Sequence, residues 1–509
     1  MPYLAPPVFA SPAASPWFHR LRLIAFALSA FLLATARLSA QSQHGSLYYS
    51  VQVDYVLITG CVTATTGEIT VPEAIDGLPV KILGPDCFDG SNASVIRLPA
   101  SLIAIFTSAF RNCRSLTAIE VSAANPEFDS VGGVMFSEDR TRIWAYPGGL
   151  GGIYTVPDGV KEIVQGSFHG NDVLTGLSLP SSLQKIGGAF FSCDALEAVV
   201  IPEGVTEISS DAFSFCKSLK SVSLPESLKE IGILAFMGCD LEEIEIPAGD
   251  IGQYAFASNA RLSKIRLGAG VKSVGLNAFA FCPGSQQIVF PASLQSLAPA
   301  FEGWTQLTSA VFLGDAPAVD EGAFDGASPG LTVYYFPGAQ GFSSPEWEGY
   351  PAFPIQAPAF TSALPLATAP LDVAFSHRFT ATGLPAPGFA LTAGALPDGL
   401  TLDAYGHLSG TPTAMGTFTG TVTASNGFTE AATQSFSIVI GNPPPVVALP
   451  NAIRLSFPTV IGKTYRVKAS EDLEDWAVIE DEIQGTGGLI QRTFSTLDQE
   501  KRFFVVEDE

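Results

Sequence analysis

The 509-residue chain is short of charge, and of positive charge above all. Charged residues make up 15% of it, against roughly 25% in ordinary globular domains, and 26 basic residues face 49 acidic ones. A formal net charge of −23 argues against nucleic acid and anionic lipid as partners. Histidine is scarce: His19, His44, His169, His377 and His407 share no metal-ligand spacing, which argues against zinc. No glycine-rich phosphate loop follows a strand and opens a helix. The one G-x-S-x-G match, GASPG at 326–330, places Pro329 where a backbone N–H would have to serve an oxyanion. No pair of carboxylates stands out as a glycosidase acid and nucleophile. The sequence therefore predicts a protein that is not an enzyme and needs no cofactor.

Long apolar runs are missing after residue 40. Before it, Arg20 and Arg22 precede an apolar run from Leu23 to Ala34, followed by Ala34-Thr35-Ala36 and Leu38-Ser39-Ala40. This is the pattern of an export signal over 1–40, cleaved after Ala36 or Ala40. The run falls short of the roughly 20 residues a spanning helix needs. Membrane insertion of the mature chain is not expected; a secreted or cell-surface protein is.

A repeat dominates the first two thirds of the chain. The phenylalanines of Ala-Phe-like pairs fall at Phe88, Phe110, Phe168, Phe190, Phe213, Phe236, Phe256, Phe279, Phe301 and Phe324, at intervals of 20 to 23 residues apart from one gap of 58. Such a period means a solenoid or array. Each unit holds one alternating run that ends at Pro or Gly, such as LKSVSLP at 219–225 or LEEIEIP at 241–247, which predicts a half-buried strand. A second short element leads into the next Ala-Phe pair, as in SLKEIGILAF at 227–236. One unit cannot bury its apolar face, so coils must stack.

These residues resemble the BspA-like leucine-rich repeat proteins. GEITVPEAIDGLPVKILGPDCF (67–88) looks like the opening coil of that family, NPEFDSVGGVMFSEDRTRIWAYPGG (125–149) like its hairpin insertion, and TVYYFPGAQGFSSPEWEGYPAFP (332–354) like its closing coil. The expected solenoid covers 41–355, in coils of about 23 residues. The resemblance implies an exported or surface protein that binds a macromolecule.

The composition turns to Ala, Pro and Thr over 353–370, a linker signal. LPDGLTL, GHLSGTP and TVTASNGF then resemble the Ig-like, cadherin-like modules of bacterial surface proteins, covering 356–442. A seven-strand β-sandwich that serves as a spacer is expected. Three prolines at 443–445 stiffen the next junction. Alternation in TYRVKASEDLEDWAVIE (464–480) and KRFFVVED (501–508) predicts a small C-terminal β domain over 446–509, which resembles a module of exported proteins of Verrucomicrobia-type bacteria. The fold class is mainly β throughout.

Two sets of residues merit placing. Outward strand positions read as Glu197, Lys220, Glu242, Glu245, Lys264 and Arg266, a face of mixed sign that could meet a protein or glycan partner. Charge pairing between neighbouring coils, the favoured reading, would account for it without any ligand. Trp144, Tyr146, Trp347 and Tyr350 are the better aromatic candidates, with cap packing the favoured role. The second set is Cys113, Asn171, Cys193, Cys216, Cys239, Asn259 and Cys282, each three residues after a repeat phenylalanine. Asn cannot form a disulfide, so the shared task must be one both residue types perform. The resemblance implies an inward turn position at which a small polar side chain bonds the neighbouring backbone. Side chains running parallel at a spacing of about 4.8 Å hold Cβ atoms too far apart for a disulfide, so free, buried thiols are expected. Acidic residues at Asp398 and Asp403 and at Glu471, Asp472, Glu474 and Asp475 lack the spacing of a calcium loop. The readings left open are a binding protein, a structural component of envelope or matrix, and an accessory to polysaccharide breakdown.

Overall fold

The computed structural model describes residues 42–441, 452–470, 474–495 and 503–508. The expected export signal at 1–40, and Glu471 and Asp472, lie outside the described residues. Every regular element described is a strand. No helix among the described residues is long and apolar enough to cross a membrane. Two compact units share the chain: the first runs to Ser285 and takes in Ser296–Trp304 and Val319–Gly326; the second holds Gln286–Gln295, Thr305–Ala318 and the chain from Ala327.

In the first unit each coil contributes a strand to one face and a two-residue strand to a second. The first face carries parallel sets: Gly67–Thr70, Ala93–Leu98 and Ala118–Val121; then Gly152–Thr155, Leu174–Ser178, Ala198–Val200 and Ser221–Ser223; then Glu243–Ala248 with Lys264–Gly270. The second face stacks Glu162–Ile163, Lys185–Ile186, Glu207–Ile208, Glu230–Ile231, Asp250–Ile251, Ser273–Val274 and Ser296–Leu297 in one ladder. The Ile, Val or Leu of each pair is buried, as period-two alternation on a one-sided sheet requires.

The repeat phenylalanines form the spine. Phe168, Phe190, Phe213, Phe236, Phe256 and Phe279 stack ring on ring, with successive centroids 4.6, 5.0, 5.2, 5.2 and 5.5 Å apart, and each is sealed from solvent. Phe110 is only partly buried and lies flat against Phe88 at 5.5 Å. The turn that carries each ring needs a left-handed residue two places on. Glycine fills it at Gly90, Gly170, Gly238, Gly303 and Gly326, while Asn112, Ser192, Phe215, Ser258 and Phe281 adopt the same positive φ without that freedom.

The 58-residue gap holds an antiparallel hairpin, Phe128–Val131 with Val134–Ser137, turned by Gly132 and Gly133. Trp144 sits edge-on to Phe128 at 5.6 Å, and buried Tyr146 stacks on Phe168 at 4.5 Å.

The second unit contains a parallel ladder of Gln287–Phe290, Ser309–Phe312, Thr332–Tyr335 and Tyr350–Pro354, and Glu346–Trp347 pairs back on the last strand. Trp347 is buried against Phe342 (4.8 Å) and Phe312 (5.5 Å). Both tryptophans and Tyr146 thus pack into the solenoid.

The Ig-like segment has nine strands between Gln356 and Gly441, not the expected seven. Phe375–Arg378 and Ala381–Leu384 pair in different sheets, and Pro385 and Pro387 interrupt the chain before Gly388–Gly394, because proline supplies no ladder N–H. Its core gathers Phe375, Phe379, Leu400, Leu408, Val422, Phe436, Ile438 and Ile440. At the C-terminal end, Ala452–Pro458 pairs with Leu489–Ser495, and Thr464–Ser470 lies between Ala477–Gln484 and Phe503–Asp508, over a core that includes Phe457, Tyr465, Val467, Ile483 and Ile490.

Candidate binding surface

Glu197, Lys220, Glu242, Glu245, Lys264 and Arg266 are all exposed on the long-strand face. The observed register corrects their alignment. Glu197, Lys220 and Glu242 each precede a strand by one residue; the outward positions inside the strands are Ala198, Ser221 and Glu243. Alternation read from sequence assumes a strand start that only the hydrogen-bond ladder fixes.

Much of the charge on this face is compensated between coils. Arg97 is paired with Glu68 at 2.7 Å and also with Glu120, and its guanidinium holds the Glu68 carboxyl below the usual carboxylate range. Glu243 lies opposite Lys264, 3.7 Å away, and Arg261 pairs with both Asp240 (3.3 Å) and Glu242. Lys220 makes no ion pair among the described residues, and neither do Glu245 and Arg266, although they face each other in register.

The face is broken at one place. Cys239 and Leu241 are two residues apart, whereas Cys193–Leu196, Cys216–Leu219 and Asn259–Leu262 are three apart. Regular coils hand a bond along before each strand: the Lys220 N–H donates to Glu197 O at 2.9 Å, and the Ser263 N–H donates to Glu242 O at 3.1 Å. In the short coil the Asp240 N–H donates to Leu219 O at 3.1 Å instead, and Ser221–Ser223 and Glu243–Ala248 belong to separate sheets. At this break lies an open depression of about 390 Å³, lined by Lys220, Ser221, Glu242, Glu243, Ser263 and Lys264. It brings together three of the six sequence-read positions. Glu197, Glu245 and Arg266 lie outside it. The serines and Glu243 were missed, and the shortened Cys239–Leu241 spacing was the sequence signal that could have found them.

The cysteine–asparagine ladder is inward and buried. Cys113 Sγ donates to Phe88 O (2.9 Å), Cys193 to Phe168 O (3.2 Å), Cys216 to Phe190 O (3.0 Å), Cys239 to Phe213 O (3.1 Å) and Cys282 to Phe256 O (3.3 Å). Asn259 Nδ2 donates to Phe236 O at 2.9 Å; Asn171, next to the insertion, donates to Pro147 O and Leu150 O. Each residue caps a carbonyl of the coil before it. All seven cysteines of the chain are free and buried. Burial pushes the thiols of Cys113 and Cys282 up to about 12, and those of Cys193 and Cys239 upward as well.

The remaining candidates have structural roles in place. His169 stacks on Phe191 at 4.9 Å. Asp403 Oδ1 accepts the N–H groups of Tyr405 and His407, and Ser328 Oγ accepts that of Gly330, so both close turns. Among the described residues no group of His, Cys, Asp and Glu is gathered to hold a metal ion.

Six copies of the family profile described as BspA type Leucine rich repeat region match residues 66–143, 153–256 and 235–339. The profile described as Putative Ig domain matches 357–441. Among solved structures, a leucine-rich repeat protein from Eubacterium ventriosum is 22% identical over 56% of this chain and 68% of its own, with a TM-score of 0.42. One from Bacteroides ovatus is 18% identical over 62% of this chain and 100% of its own, with a TM-score of 0.32. The pneumococcal vaccine antigen PcpA is 18% identical over 59% of this chain and 95% of its own, with a TM-score of 0.30. No curated protein matches the chain.

Proposed function

Because the chain belongs to the BspA-type leucine-rich repeat proteins, with an Ig-like domain after the repeats, we propose that it is an exported or cell-surface binding protein that recognises a protein or glycan partner through the long-strand face of its solenoid. The observation that carries this reading is the break between Ser221–Ser223 and Glu243–Ala248. The ladder compensates much of its charge between coils; at the break, Lys220 makes no ion pair among the described residues and lines an open depression together with Ser221 and Ser263. A desolvated contact to an unpaired ammonium gains more than one to a charge already neutralised. The Ig-like domain acts as a spacer, residues 1–40 direct export, and the chain catalyses no reaction.

The test is a binding screen of the exported full chain against host proteins, mucins and polysaccharides. Saturable binding should weaken at least tenfold in Lys220→Glu and Lys264→Glu. A second reading, a structural component of envelope or matrix with no specific ligand, draws on the Glu68–Arg97–Glu120 set, which satisfies itself across coils. Retention in the envelope fraction with no saturable binding to any probe would select it.

A further inference from the structure

The turn edge of the first unit carries two aromatic rings where the backbone favours glycine. Two residues after each repeat phenylalanine, the row reads Gly170, Ser192, Phe215, Gly238, Ser258, Phe281, Gly303 and Gly326, all at positive φ. A large side chain at such a φ is strained. Phe215 (φ 59) and Phe281 (φ 58) are nonetheless 38% and 56% exposed, so the strain brings no core burial in return.

Their neighbours make room for them. A Cβ on Gly238 would come within 2.8 Å of the Phe215 ring, so that ring lies across the glycine of the next coil; Phe281 stands 3.6–3.7 Å from the equivalent point on Gly303. The edge is also fixed in spacing. The Phe215 N–H donates to Met237 O (2.7 Å), Gly238 to Ala257 O (2.9 Å), Ser258 to Ala280 O (2.8 Å) and Phe281 to Glu302 O (2.8 Å). The two rings therefore stand three coils apart, about 14 Å at a strand spacing of roughly 4.8 Å. Only a glycine and a serine lie between them in the row.

We infer that this edge is a docking track for a neutral, extended polysaccharide, with Phe215 and Phe281 as its two stacking platforms. Sugar rings present flat C–H faces that pack on exposed aromatic faces. An extended β-linked glycan advances by roughly one coil spacing per sugar, so every third sugar meets a ring. Between the platforms the row holds only Gly238, against which the Phe215 ring lies, and the small Ser258, so no second large side chain interrupts it. The overall charge of −23 selects against uronate or sulfated polymers. Lys217, two residues after Phe215, is paired with Asp194 at 2.8 Å. The track is separate from the strand-face depression, and its occupancy does not depend on the function proposed for that depression.

The test is native affinity electrophoresis of the full chain in gels containing hydroxyethyl cellulose, glycol chitin or laminarin. At least one polymer should retard the protein. Phe215→Gly and Phe281→Gly should each weaken that retardation at least fivefold, and the double variant should abolish it. Glycine is the residue other coils place there, so the melting temperature of each variant should hold or rise. Lys220→Glu should leave the retardation unchanged. No retardation by any of the three polymers overturns the inference, as does retardation that survives in the double variant. Loss accompanied by a lowered melting temperature would make the rings structural, and capture of a protein through these rings without polysaccharide binding would replace the glycan.

Discussion

The indole Nε1–H of Trp304 donates to the main-chain carbonyl of Phe279 at 2.8 Å. Trp304 stands three residues after Phe301, the same station that Cys113, Cys193, Cys216, Cys239, Asn259 and Cys282 occupy in other coils, and it caps the phenylalanine carbonyl of the preceding coil as they do. The requirement at this station is a donor of the right reach, whatever side chain supplies it. Trp304→Phe keeps most of the ring volume and removes the donor, which leaves a buried carbonyl unpaired. It should cost about 1–3 kcal/mol in urea unfolding followed by circular dichroism. Trp304→Ala adds a cavity and should cost about 3–5 kcal/mol. No loss in Trp304→Phe beside a full loss in Trp304→Ala would show that the bond contributes nothing.

The thiols should make the fold sensitive to alkali. Burial raises Cys113 and Cys282 to about 12, whereas a thiol in the unfolded chain ionises near 8.5. Below that lower value both states hold the proton and stability is unaffected. Between roughly 8.5 and 12 the unfolded chain loses protons that the native state keeps, so native stability falls as pH rises. Melting temperatures from pH 7 to 11 should fall more steeply in the native sequence than in a Cys113→Ala, Cys282→Ala variant. Parallel slopes would remove the argument. Iodoacetamide at pH 8 should label none of the seven thiols until the protein is denatured.

The missing residue between Cys239 and Leu241 can be restored. Insertion of one serine between Asp240 and Leu241 should let the Glu242 N–H reach Lys220 O, as Lys220 reaches Glu197, and join the two sheets. Hydrogen exchange at Glu242 and Glu243 should slow, and any partner held at the depression should bind more weakly. Unchanged exchange would mean that the break does not depend on the short turn.

Within the Ig-like domain, Asn426 ties three segments together. Its Nδ2 donates to Gln356 O (2.9 Å) and Leu384 O (3.2 Å), and its Oδ1 accepts the N–H groups of Phe428 and Thr429 (both 3.2 Å). Asn426→Ala should destabilise the domain by about 1–3 kcal/mol, and Asn426→Asp, which keeps the acceptor and loses the donors, by nearly as much. Thermal unfolding of the full chain, followed at the domain's own transition, would show it; an unshifted transition in both variants would refute it.

The repeat was legible because its causes are local. Ala-Phe at intervals of 20 to 23 residues, one alternating run per unit and a Pro or Gly stop determine coil length, inward face and turn position within a few residues of each other. They were enough to mark Phe168 to Phe279 as core and the cysteine station as inward. The candidate surface was only half legible. Glu242 and Glu243 are neighbours of one type, and nothing in the alternation says which lies opposite Lys264; the ladder between coils decides it. That Lys220 has no ion pair among the described residues, that the sheet opens beside Ser221, and that an indole can serve where a thiol does are all relations between residues about a coil apart in sequence. Periodicity specifies each coil by itself. Register between coils follows from hydrogen bonds that form only once the coils are stacked, and for that reason the tertiary structure alone decided them.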